Sequence, residues 1–390
     1  MSDATIRQAV ILVGGKGTRL GAITQDIPKP MLRIAGGRPF LDYLLEMVER
    51  HGYEDIVLLA GYLGEAVEAA YGGRRIGGAA IRVFRERVPL GTAGALTAAR
   101  EVLDPRFLLM NGDAFFDINL RALEQASRQS GAMATLALRS VPDAARYGRV
   151  IEEHGKVVAF LEKDSSRPGP GVINGGIYAL KREILDLVRE LPCSLEQHVF
   201  PALVERGQVA GHEFEGYFLD IGLPETLAQG HRELPGVRVR PAAFLDRSAL
   251  IIGVDSSRLN GPSWTAGAGE AVRALNDRGH YVFVVGGSSA SAAAPSPFDD
   301  ARGLNAEIQE RLTLEGGHVD RFFAGDGRLF SSVLDQVMNE WPIVRTRSLL
   351  VAASDAEAAV ARRSGLAARV FDGEDLARLV HSLLAEDAEH

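Results

Sequence analysis

The chain has 390 residues with 46% hydrophobic and 24% charged side chains, which is typical of a globular protein large enough for two domains. A net charge of −8 argues against a nucleic-acid partner, and the single cysteine, Cys193, excludes an intramolecular disulfide and a cysteine-rich zinc cluster. No apolar run is long enough to span a bilayer and no signal-peptide pattern begins the chain, so we expect a cytoplasmic protein without a membrane partner.

Apolar runs alternate with helical patterns along the first part of the chain. The patterns predict strands at 9–13, 55–60 and 106–113, and helices at 40–52 and 66–73. Strands that alternate with helices usually form parallel sheets covered on both faces. We therefore predict an α/β fold with a mixed, mostly parallel sheet.

The alternation stops near residues 232–241, where two prolines and a glycine occur, and then restarts. Beyond this break the sequence predicts a helix at 268–279 and strands at 242–246, 281–285 and 347–353. We therefore predict two domains, 1–235 and 236–390, of which the second is a smaller α/β domain. Within it, the low-complexity stretch 286–297 is predicted to form a loop.

A glycine-rich loop follows the first strand. Gly14, Gly15 and Gly17 allow a sharp turn that points backbone N–H groups at phosphate oxygens. The ATP-binding string G-x-x-x-x-G-K-[ST] is absent. The dinucleotide-binding pattern also fails, because the spacing is G-G-x-G and the second strand ends at Gly61 and Tyr62 without a carboxylate.

Two cations accompany this loop. Thr18 and Arg19 follow the glycines directly, and Lys29 lies between Pro28 and Pro30, which keep its segment out of a helix. A planar guanidinium and an ammonium near one loop suit a triphosphate whose negative charge increases during displacement. The alternative is that both cations are solvated surface charges.

The strings G-G-x-G-T-R-L and P-K-P resemble the signature of the sugar-1-phosphate nucleotidyltransferases. Further segments of this family's pattern follow in order: "PLGTAGAL" (89–96), "LLMNGDAFFD" (108–117), "FLEK" (160–163), "INGGIY" (173–178) and "FLDIGLPE" (218–225). The resemblance implies a Rossmann-like nucleotidyltransferase domain. It also implies an enzyme that transfers a nucleoside monophosphate from a nucleoside triphosphate to a sugar 1-phosphate and releases pyrophosphate.

The same resemblance implies the residues of the active site. Asp113 and Asp220 would hold Mg²⁺ on the α-phosphate. Catalysis would depend on Asp113, on Arg19 at the leaving pyrophosphate and on Lys29 at the α-phosphate. Lys163 would hold the attacking sugar phosphate. The implied substrate-binding residues are Gly14, Gly15, Gly17, Thr18, Gly91, Thr92, Gly148, Glu162, Lys163, Asn174 and Gly175.

Within the family, "DIPKPM", "VPLGTAGAL" and "NGDAFFDINL" are similar to the branch that acts on D-glycero-D-manno-heptose 1-phosphate with GTP. The segment "SLEQHVFPAL" (194–203) is similar as well, although that branch usually has aspartate at the position of His198. Mannose-1-phosphate guanylyltransferases and other hexose-1-phosphate nucleotidyltransferases are the alternatives. A non-catalytic regulatory protein that binds a nucleotide-sugar is an alternative of another class.

The second domain begins with "RPAAFLDRSALI" (240–251), which resembles the start of the haloacid-dehalogenase (HAD) type phosphatases, in particular heptose 1,7-bisphosphate phosphatase. Asp246 occupies the nucleophile position of that family. Ser248 replaces its general acid, however, and "VAA" (351–353) replaces its metal-binding motif. We expect a HAD-like domain that hydrolyses nothing and has a structural role, such as a contact in a homo-oligomer. An unrelated α/β domain is the alternative.

Overall fold

The computed structural model describes residues 5–161, 166, 168–254, 262–286, 301–323 and 330–388. The chain divides into two compact units, Met1–Pro235 and Gly236–His390. Among the described residues, no helix is both long and apolar enough to cross a membrane. The predicted loop at 286–297 lies outside the described residues except for Gly286.

The first unit alternates strands and helices along its length. Its strands are β1 (Gln8–Leu12), β2 (Arg33–Ile34), β3 (Arg38–Pro39), β4 (Asp55–Ala60), β5 (Arg75–Ile76), β6 (Ala79–Arg85), β7 (Arg106–Asn111), β8 (Ala114–Phe116), β9 (Ala134–Val141), β10 (Arg149–Glu153), β11 (Lys156–Leu161), β12 (Gly171–Lys181), β13 (Val209–Glu213) and β14 (Phe218–Asp220). Its helices are α1 (Phe40–Arg50), α2 (Gly64–Tyr71), α3 (Thr92–Ala98), α4 (Leu120–Ser130), α5 (Phe200–Val204) and α6 (Pro224–Val237). Short 3₁₀ segments occupy Thr18–Thr24, Lys29–Met31, Arg100–Val102 and Arg182–Leu187, and a π-helical turn occupies Leu195–Val199.

A ten-stranded sheet forms the centre of this unit, in the order β10-β11-β13-β9-β12-β7-β1-β4-β6-β5. The adjacent strands β7, β1, β4 and β6 are parallel to one another, whereas β12 runs antiparallel to its neighbours β7 and β9. This mixed sheet with a parallel centre confirms the predicted α/β fold. Because Leu12 pairs with both Leu59 and Asn111, the carboxyl ends of β1, β4 and β7 lie at one edge.

The central strands are apolar because both of their faces are covered. β1 and β4 are buried along almost their whole length, as expected for parallel strands between two layers of helices. Val10, Leu59 and Leu109 share one apolar cluster with Leu96 of α3 and Phe200 of α5. The predicted strands and helices of this part are confirmed as β1, β4, β7, α1 and α2, each within two residues of its predicted ends.

The second unit also alternates strands and helices. Its strands are β15 (Ala242–Asp246), β16 (Ile251–Val254), β17 (Pro262–Trp264), β18 (Tyr281–Val285), β19 (Arg321–Phe323), β20 (Leu349–Ala352) and β21 (Ala367–Val370). Its helices are α7 (Arg247–Leu250), α8 (Ala268–Asp277), α9 (Ala301–Leu314), α10 (Phe330–Glu340), α11 (Asp355–Arg363) and α12 (Leu376–Ala388).

The second unit contains a five-stranded sheet with the strand order β19-β18-β15-β20-β21, in which neighbouring strands pair in parallel. Alternate residues of β15 enter two different apolar clusters. Ala243 and Leu245 belong to one cluster, and Ala242 and Phe244 belong to the other. Both faces of the sheet are therefore covered, as in doubly wound α/β folds.

Helix α6 extends into the first part of the predicted break at residues 232–241, and the two units divide within that stretch, after Pro235. The helix spans Pro224–Val237 and contains Pro235 in its last turn. Proline lacks the N–H that would bind the carbonyl group four residues earlier, but its fixed φ suits a helix, and near the end only one hydrogen bond is lost. The prolines and the glycine therefore accompany the end of a helix, and the pattern is not interrupted at residue 232.

Candidate functional site

A cavity of about 690 Å³ lies at the edge where β1, β4, β6 and β7 end. Its wall includes Gly14 after β1, Gly61 after β4, Glu86 after β6 and Asp113 after β7. Ligands of α/β folds bind at this edge because the loops that leave the strands meet there. The volume is that of a small-molecule site, for which about 300–1,000 Å³ is usual.

Many of the residues predicted from the sequence come together at this cavity. Those in its wall are Gly14, Gly15, Lys29, Gly91, Thr92 and Asp113. Those outside the wall are Gly17, Thr18, Arg19, Gly148, Asn174, Gly175 and Asp220. The predicted residues Glu162 and Lys163 lie outside the described part of the chain.

The glycine loop after β1 leaves open space at the cavity. A side-chain carbon at Gly15 would meet no protein atom within 4 Å, so packing within the protein does not require glycine there. Gly14 differs, because a side-chain carbon at that position would lie 3.1 Å from the backbone nitrogen of Gly61. The loop is thus packed tightly against the end of β4, while the bare backbone of Gly15 borders the cavity and leaves room for a ligand.

Arg19 lies on an anchored loop. Gly17 has φ +61°, a left-handed conformation, and starts the 3₁₀ segment Thr18–Thr24 that carries Arg19. The Tyr62 hydroxyl donates to the Gln25 carbonyl oxygen at 2.7 Å and ties the end of this segment to the chain after β4. Arg19 is exposed and makes no hydrogen bond or ion pair with the described residues, so its guanidinium group is available to an anion.

Two short strands bring the predicted metal ligands together. β8 and β14 pair antiparallel, with Asp220 opposite Ala114, and the Ile221 amide donates to the Asp113 carbonyl oxygen at 3.1 Å. The buried Lys29 ammonium lies 2.7 Å from Asp113 Oδ2 and 3.7 Å from Asp220 Oδ1. One cation is thus shared by two carboxylates from distant parts of the chain.

The donor set around Lys29 fits a magnesium ion. Two carboxylates and one ammonium leave one negative charge uncompensated, and carboxylate oxygens are ligands that Mg²⁺ prefers. The side chains of Asp113 and Asp220 are 47% and 25% exposed, so an ion can reach them. No group of three or more His, Cys, Asp and Glu suited to a metal occurs among the described residues. Water and phosphate oxygens would complete the coordination, as is usual for Mg²⁺.

The loop before α3 is bound to a second segment, Cys193–Glu196. The Cys193 amide donates to the Leu90 carbonyl oxygen at 2.8 Å, and the Cys193 carbonyl oxygen accepts from the Ala93 amide at 3.0 Å. Gly91, between them, has φ +76°, and a side-chain carbon there would clash with the Cys193 carbonyl oxygen. Only glycine fits, because the backbone conformation and the contact both exclude a side chain.

Glu86 borders the cavity, but no motif identifies it in the sequence. Its Oε2 accepts a hydrogen bond from the Leu90 amide at 3.2 Å. Burial raises the pKa of Glu86, an effect that the Leu90 N–H partly offsets. The apolar pattern of β6 is interrupted by Arg82 and Arg85, so the strand that positions Glu86 is not evident from hydrophobic periodicity.

Glu196 also borders the cavity without being predicted. Its Oε2 accepts from the hydroxyls of Thr92 and Ser194 at 3.1 and 2.9 Å, and its Oε1 lies 3.5 Å from the Tyr178 hydroxyl. The Tyr178 hydroxyl in turn accepts from Asn174 Nδ2 at 2.9 Å. Asn174 is therefore linked to the cavity wall through Tyr178 and Glu196. In the sequence, Glu196 belongs to "SLEQHVFPAL", which indicates a branch of the family but no role for the residue.

Known proteins match the part of the chain that forms this cavity. The family model described as nucleotidyl transferase matches residues 8–235. The chain belongs to the nucleotidyl transferase family. It is similar to D-glycero-alpha-D-manno-heptose 1-phosphate guanylyltransferase of Aneurinibacillus thermoaerophilus, with 34% identity over 229 residues that cover 58% of this chain and 98% of the relative. It is also similar to mannose-1-phosphate guanylyltransferase of Mycobacterium tuberculosis, with 37% identity over 242 residues, 60% of this chain and 66% of the relative.

A solved structure is similar to this nucleotidyltransferase as well. It is HddC from Yersinia pseudotuberculosis complexed with GMP-PN, with a TM-score of 0.53, 30% identity, and coverage of 59% of this chain and 100% of that one. These matches confirm the predicted family and the presence of guanylyltransferases among its relatives. The roles of individual residues, the metal ion and the family of the second unit stay predictions.

Substitutions of two glycines in the cavity wall should cause different defects in this nucleotidyltransferase. Gly91→Ala puts a side chain into a left-handed position and against the Cys193 carbonyl oxygen, and such backbone strain costs about 1–3 kcal/mol. We expect a lower midpoint of thermal unfolding. Gly15→Ala meets no protein atom, so we expect an unchanged midpoint but weaker binding of a nucleoside triphosphate.

Scanning calorimetry and titration with GTP measure these two effects separately. A Gly91→Ala variant that unfolds at the wild-type temperature would contradict the strain argument. A Gly15→Ala variant that binds GTP as tightly as the wild type would show that the ligand does not approach this glycine.

Proposed function

We propose that the first unit transfers GMP from GTP to a sugar 1-phosphate and releases pyrophosphate, with D-glycero-D-manno-heptose 1-phosphate as the preferred acceptor. The observation that carries the proposal is the cluster of Lys29, Asp113 and Asp220 beside the cavity of about 690 Å³. Such a cluster can neutralise a triphosphate and hold a divalent cation next to it. The names of the two similar guanylyltransferases support GTP as donor and a manno-configured acceptor.

The proposed reaction joins two anions, so positioning and charge neutralisation account for most of the catalysis. A phosphate oxygen of the sugar attacks the α-phosphorus in line. The new O–P bond forms while the bond to the bridging β-phosphate oxygen breaks, and pyrophosphate leaves with that electron pair. The attacking phosphate is already an anion, so no side chain has to remove a proton. Mg²⁺ on Asp113 and Asp220 would neutralise and orient the α-phosphate.

The cations of the protein have separate tasks in this proposal. Lys29 is held next to Asp113 and borders the cavity, which suits a contact with the α-phosphate. Arg19 binds the leaving pyrophosphate, whose charge increases in the transition state. Lys163 holds the sugar phosphate, with Glu162 beside it for the sugar. The remaining acceptor contacts that we propose are Gly148, Asn174 and Gly175.

Glu86 supports guanine as the base. Its Oε1 makes no hydrogen bond or ion pair with the described residues, so it can accept from a ligand. Guanine presents two adjacent donors, N1–H and the 2-amino group, which suit a carboxylate. Adenine and cytosine present a ring-nitrogen acceptor at the corresponding edge, and uracil and thymine place one donor between two carbonyl oxygens. A carboxylate at this position therefore favours guanine over the other bases.

Asp113→Asn tests the metal assignment, because the change removes an anionic ligand with almost no change of shape. We expect kcat to fall by about 100-fold or more, since several kcal/mol of transition-state stabilisation are lost. Pyrophosphate release with GTP, acceptor and saturating Mg²⁺ measures the effect, and circular dichroism checks the fold. Asp186→Asn, at an exposed ion pair with Arg100, is the matched control and should keep full activity. Near-normal turnover of Asp113→Asn would contradict the metal site.

Glu86→Gln tests base recognition, because the amide offers one acceptor and one donor where the carboxylate offers two acceptors. We expect the wild type to prefer GTP, and we expect the variant to lose roughly 10- to 100-fold of this discrimination, as is typical of a bidentate contact. The measurement is kcat/KM for the four common nucleoside triphosphates. The raised pKa of Glu86 also predicts that the preference weakens as pH falls, starting at a higher pH than for an exposed glutamate, because protonation removes an acceptor.

Two results would correct this part of the proposal. Unchanged discrimination in Glu86→Gln would remove Glu86 from base recognition. A wild-type preference for dTTP with glucose 1-phosphate would overturn both the base and the acceptor while leaving the reaction type in place.

We propose further that the second unit is a HAD-like domain that hydrolyses no phosphate ester. Asp246 ends β15, between β18 and β20, where the strand order reverses and doubly wound folds have their ligand sites. Its Oδ1 accepts from Ser248 N at 2.8 Å and from Ser248 Oγ at 2.5 Å, so the carboxylate caps helix α7. A serine hydroxyl is a poor general acid, and Ala352 and Ala353 supply no carboxylate at the end of β20.

The full chain is therefore expected to release no phosphate from heptose 1,7-bisphosphate in the presence of Mg²⁺. Loss of the general acid alone costs about 10²–10⁴-fold in rate. The phosphate assay is run beside the pyrophosphate assay on the same preparation, so that an inactive sample is recognised. Mg²⁺-dependent phosphate release that disappears in Asp246→Asn would show that this unit is a phosphatase.

A further inference from the structure

We propose that Glu196 is a positioning residue that couples the binding of the nucleoside triphosphate to the binding of the sugar 1-phosphate. The inference rests on the proposed function, because it assigns the two ends of a hydrogen-bond network to the two substrates. Glu196 borders the cavity, and its carboxylate is the point at which the two ends of this network meet.

On the nucleotide side, Glu196 is attached to the loop before α3. Thr92 Oγ1 accepts a hydrogen bond from the Leu195 amide at 2.7 Å and donates its own proton to Glu196 Oε2 at 3.1 Å. Ser194 Oγ donates to the same oxygen at 2.9 Å. Together with the backbone contacts of Cys193, these bonds join the segment Cys193–Glu196 to the loop before α3. We assign this loop to the nucleotide, because it borders the cavity and its Leu90 amide donates to Glu86, the residue that we propose for the base.

On the acceptor side, Glu196 Oε1 lies 3.5 Å from the hydroxyl group of Tyr178, whose side chain is fully buried. The Tyr178 hydroxyl accepts from Asn174 Nδ2 at 2.9 Å and is also hydrogen-bonded to the Asn111 side chain. Because the phenol oxygen is occupied by these amides, its single proton is directed to Glu196. The Gly176 amide donates to Asn174 Oδ1 at 2.9 Å, which fixes the orientation of the Asn174 amide group.

The proton donors of both sides thus converge on one carboxylate. Glu196 forms no ion pair with the described residues, so hydroxyl groups stabilise its charge. The two oxygens belong to one rigid, planar carboxylate, so a change at Thr92 that moves Oε2 also moves Oε1 relative to the Tyr178 hydroxyl. The contact between Tyr178 and Glu196, at 3.5 Å, is longer than the other contacts of the network, so it is the one that a movement of the carboxylate has room to shorten.

A triphosphate that orders Thr92 therefore also orders Asn174 for the sugar. Coupling between two sites is reciprocal, so each substrate tightens the binding of the other by the same factor. We expect a coupling factor of roughly 10, within the usual range for coupled sites.

Titration calorimetry on the full chain with Mg²⁺ measures this factor directly. The Kd of D-glycero-D-manno-heptose 1-phosphate is determined with and without a saturating, non-reacting GTP analogue in which a methylene group bridges the α- and β-phosphorus atoms. In the wild type we expect the analogue to lower the Kd about tenfold. The amide of Glu196→Gln has a single oxygen, so it cannot accept from Thr92 and from Tyr178 through separate oxygens. In this variant we expect the coupling factor to fall to about twofold or less.

Two further variants make the test specific. Tyr178→Phe removes only the hydroxyl group, so it should lose the coupling as well, and the double variant should lose no more than either single one. Glu205→Gln, at an exposed glutamate outside the cavity wall, makes the same change of charge and should keep the wild-type factor. If Glu196 had a purely structural role, Glu196→Gln would bind both ligands more weakly or unfold at a lower temperature, and the coupling factor would stay unchanged.

The inference is overturned if the wild type shows no coupling, or if Glu196→Gln and Tyr178→Phe both keep the wild-type factor. Pyrophosphate assays distinguish this result from a failure of the proposed function. Normal turnover with unchanged coupling rejects only the role of Glu196. No turnover with GTP and any sugar 1-phosphate rejects the proposed function and this inference together.

Discussion

The ammonium group of Lys29 holds together three segments of the first unit. Pro28 and Pro30 fix its own segment, while Asp113 follows β7 and Asp220 ends β14. Burying an ammonium without a counter-ion is unfavourable, and two carboxylates that lie side by side repel each other unless a cation separates them. Each of the three charges therefore depends on the other two. The cluster is a preformed binding place for positive charge, and a cation that replaces part of the Lys29 contact would leave the ammonium free to face a phosphate.

The parallel strands β1, β4 and β7 end at the same edge of the sheet, and this shared edge places the cluster beside the cavity that we assign to the nucleotide. The registers of β1, β4 and β7 bring the first residues after each strand to one edge of the sheet. There the bare backbone of Gly15, the carboxylate of Glu86 and the carboxylate of Asp113 border one cavity. In our proposal these three groups meet the phosphates, the base and the metal ion of a single ligand. A longer or shorter strand would displace its own contact relative to the other two.

Part of this arrangement could be predicted from the sequence because it is local. The glycine loop, the prolines around Lys29 and the apolar strands each occupy a short stretch whose chemistry is evident without the fold. The ion pairs of Lys29 join distant segments, and hydrophobic periodicity contains no information about such contacts. Glu86 follows a strand whose arginines hide its apolar pattern, and Glu196 lies in a π-helical turn, which hydrophobic periodicity does not indicate. Both glutamates gain their significance from neighbours that only the tertiary structure supplies.

Asp113 and Asp246 have similar positions in their sheets but different surroundings. Both aspartates lie at the carboxyl end of a buried strand that pairs in parallel with at least one neighbouring strand. Asp113 is half-exposed, shares a cation with a second carboxylate and borders a cavity. Asp246 is buried and its Oδ1 is bound by the backbone and hydroxyl of Ser248. The first carboxylate is thus available to an ion, while the second stabilises the start of a helix. The same residue at the same kind of strand end therefore indicates chemistry only where its neighbours leave charge that a ligand must neutralise.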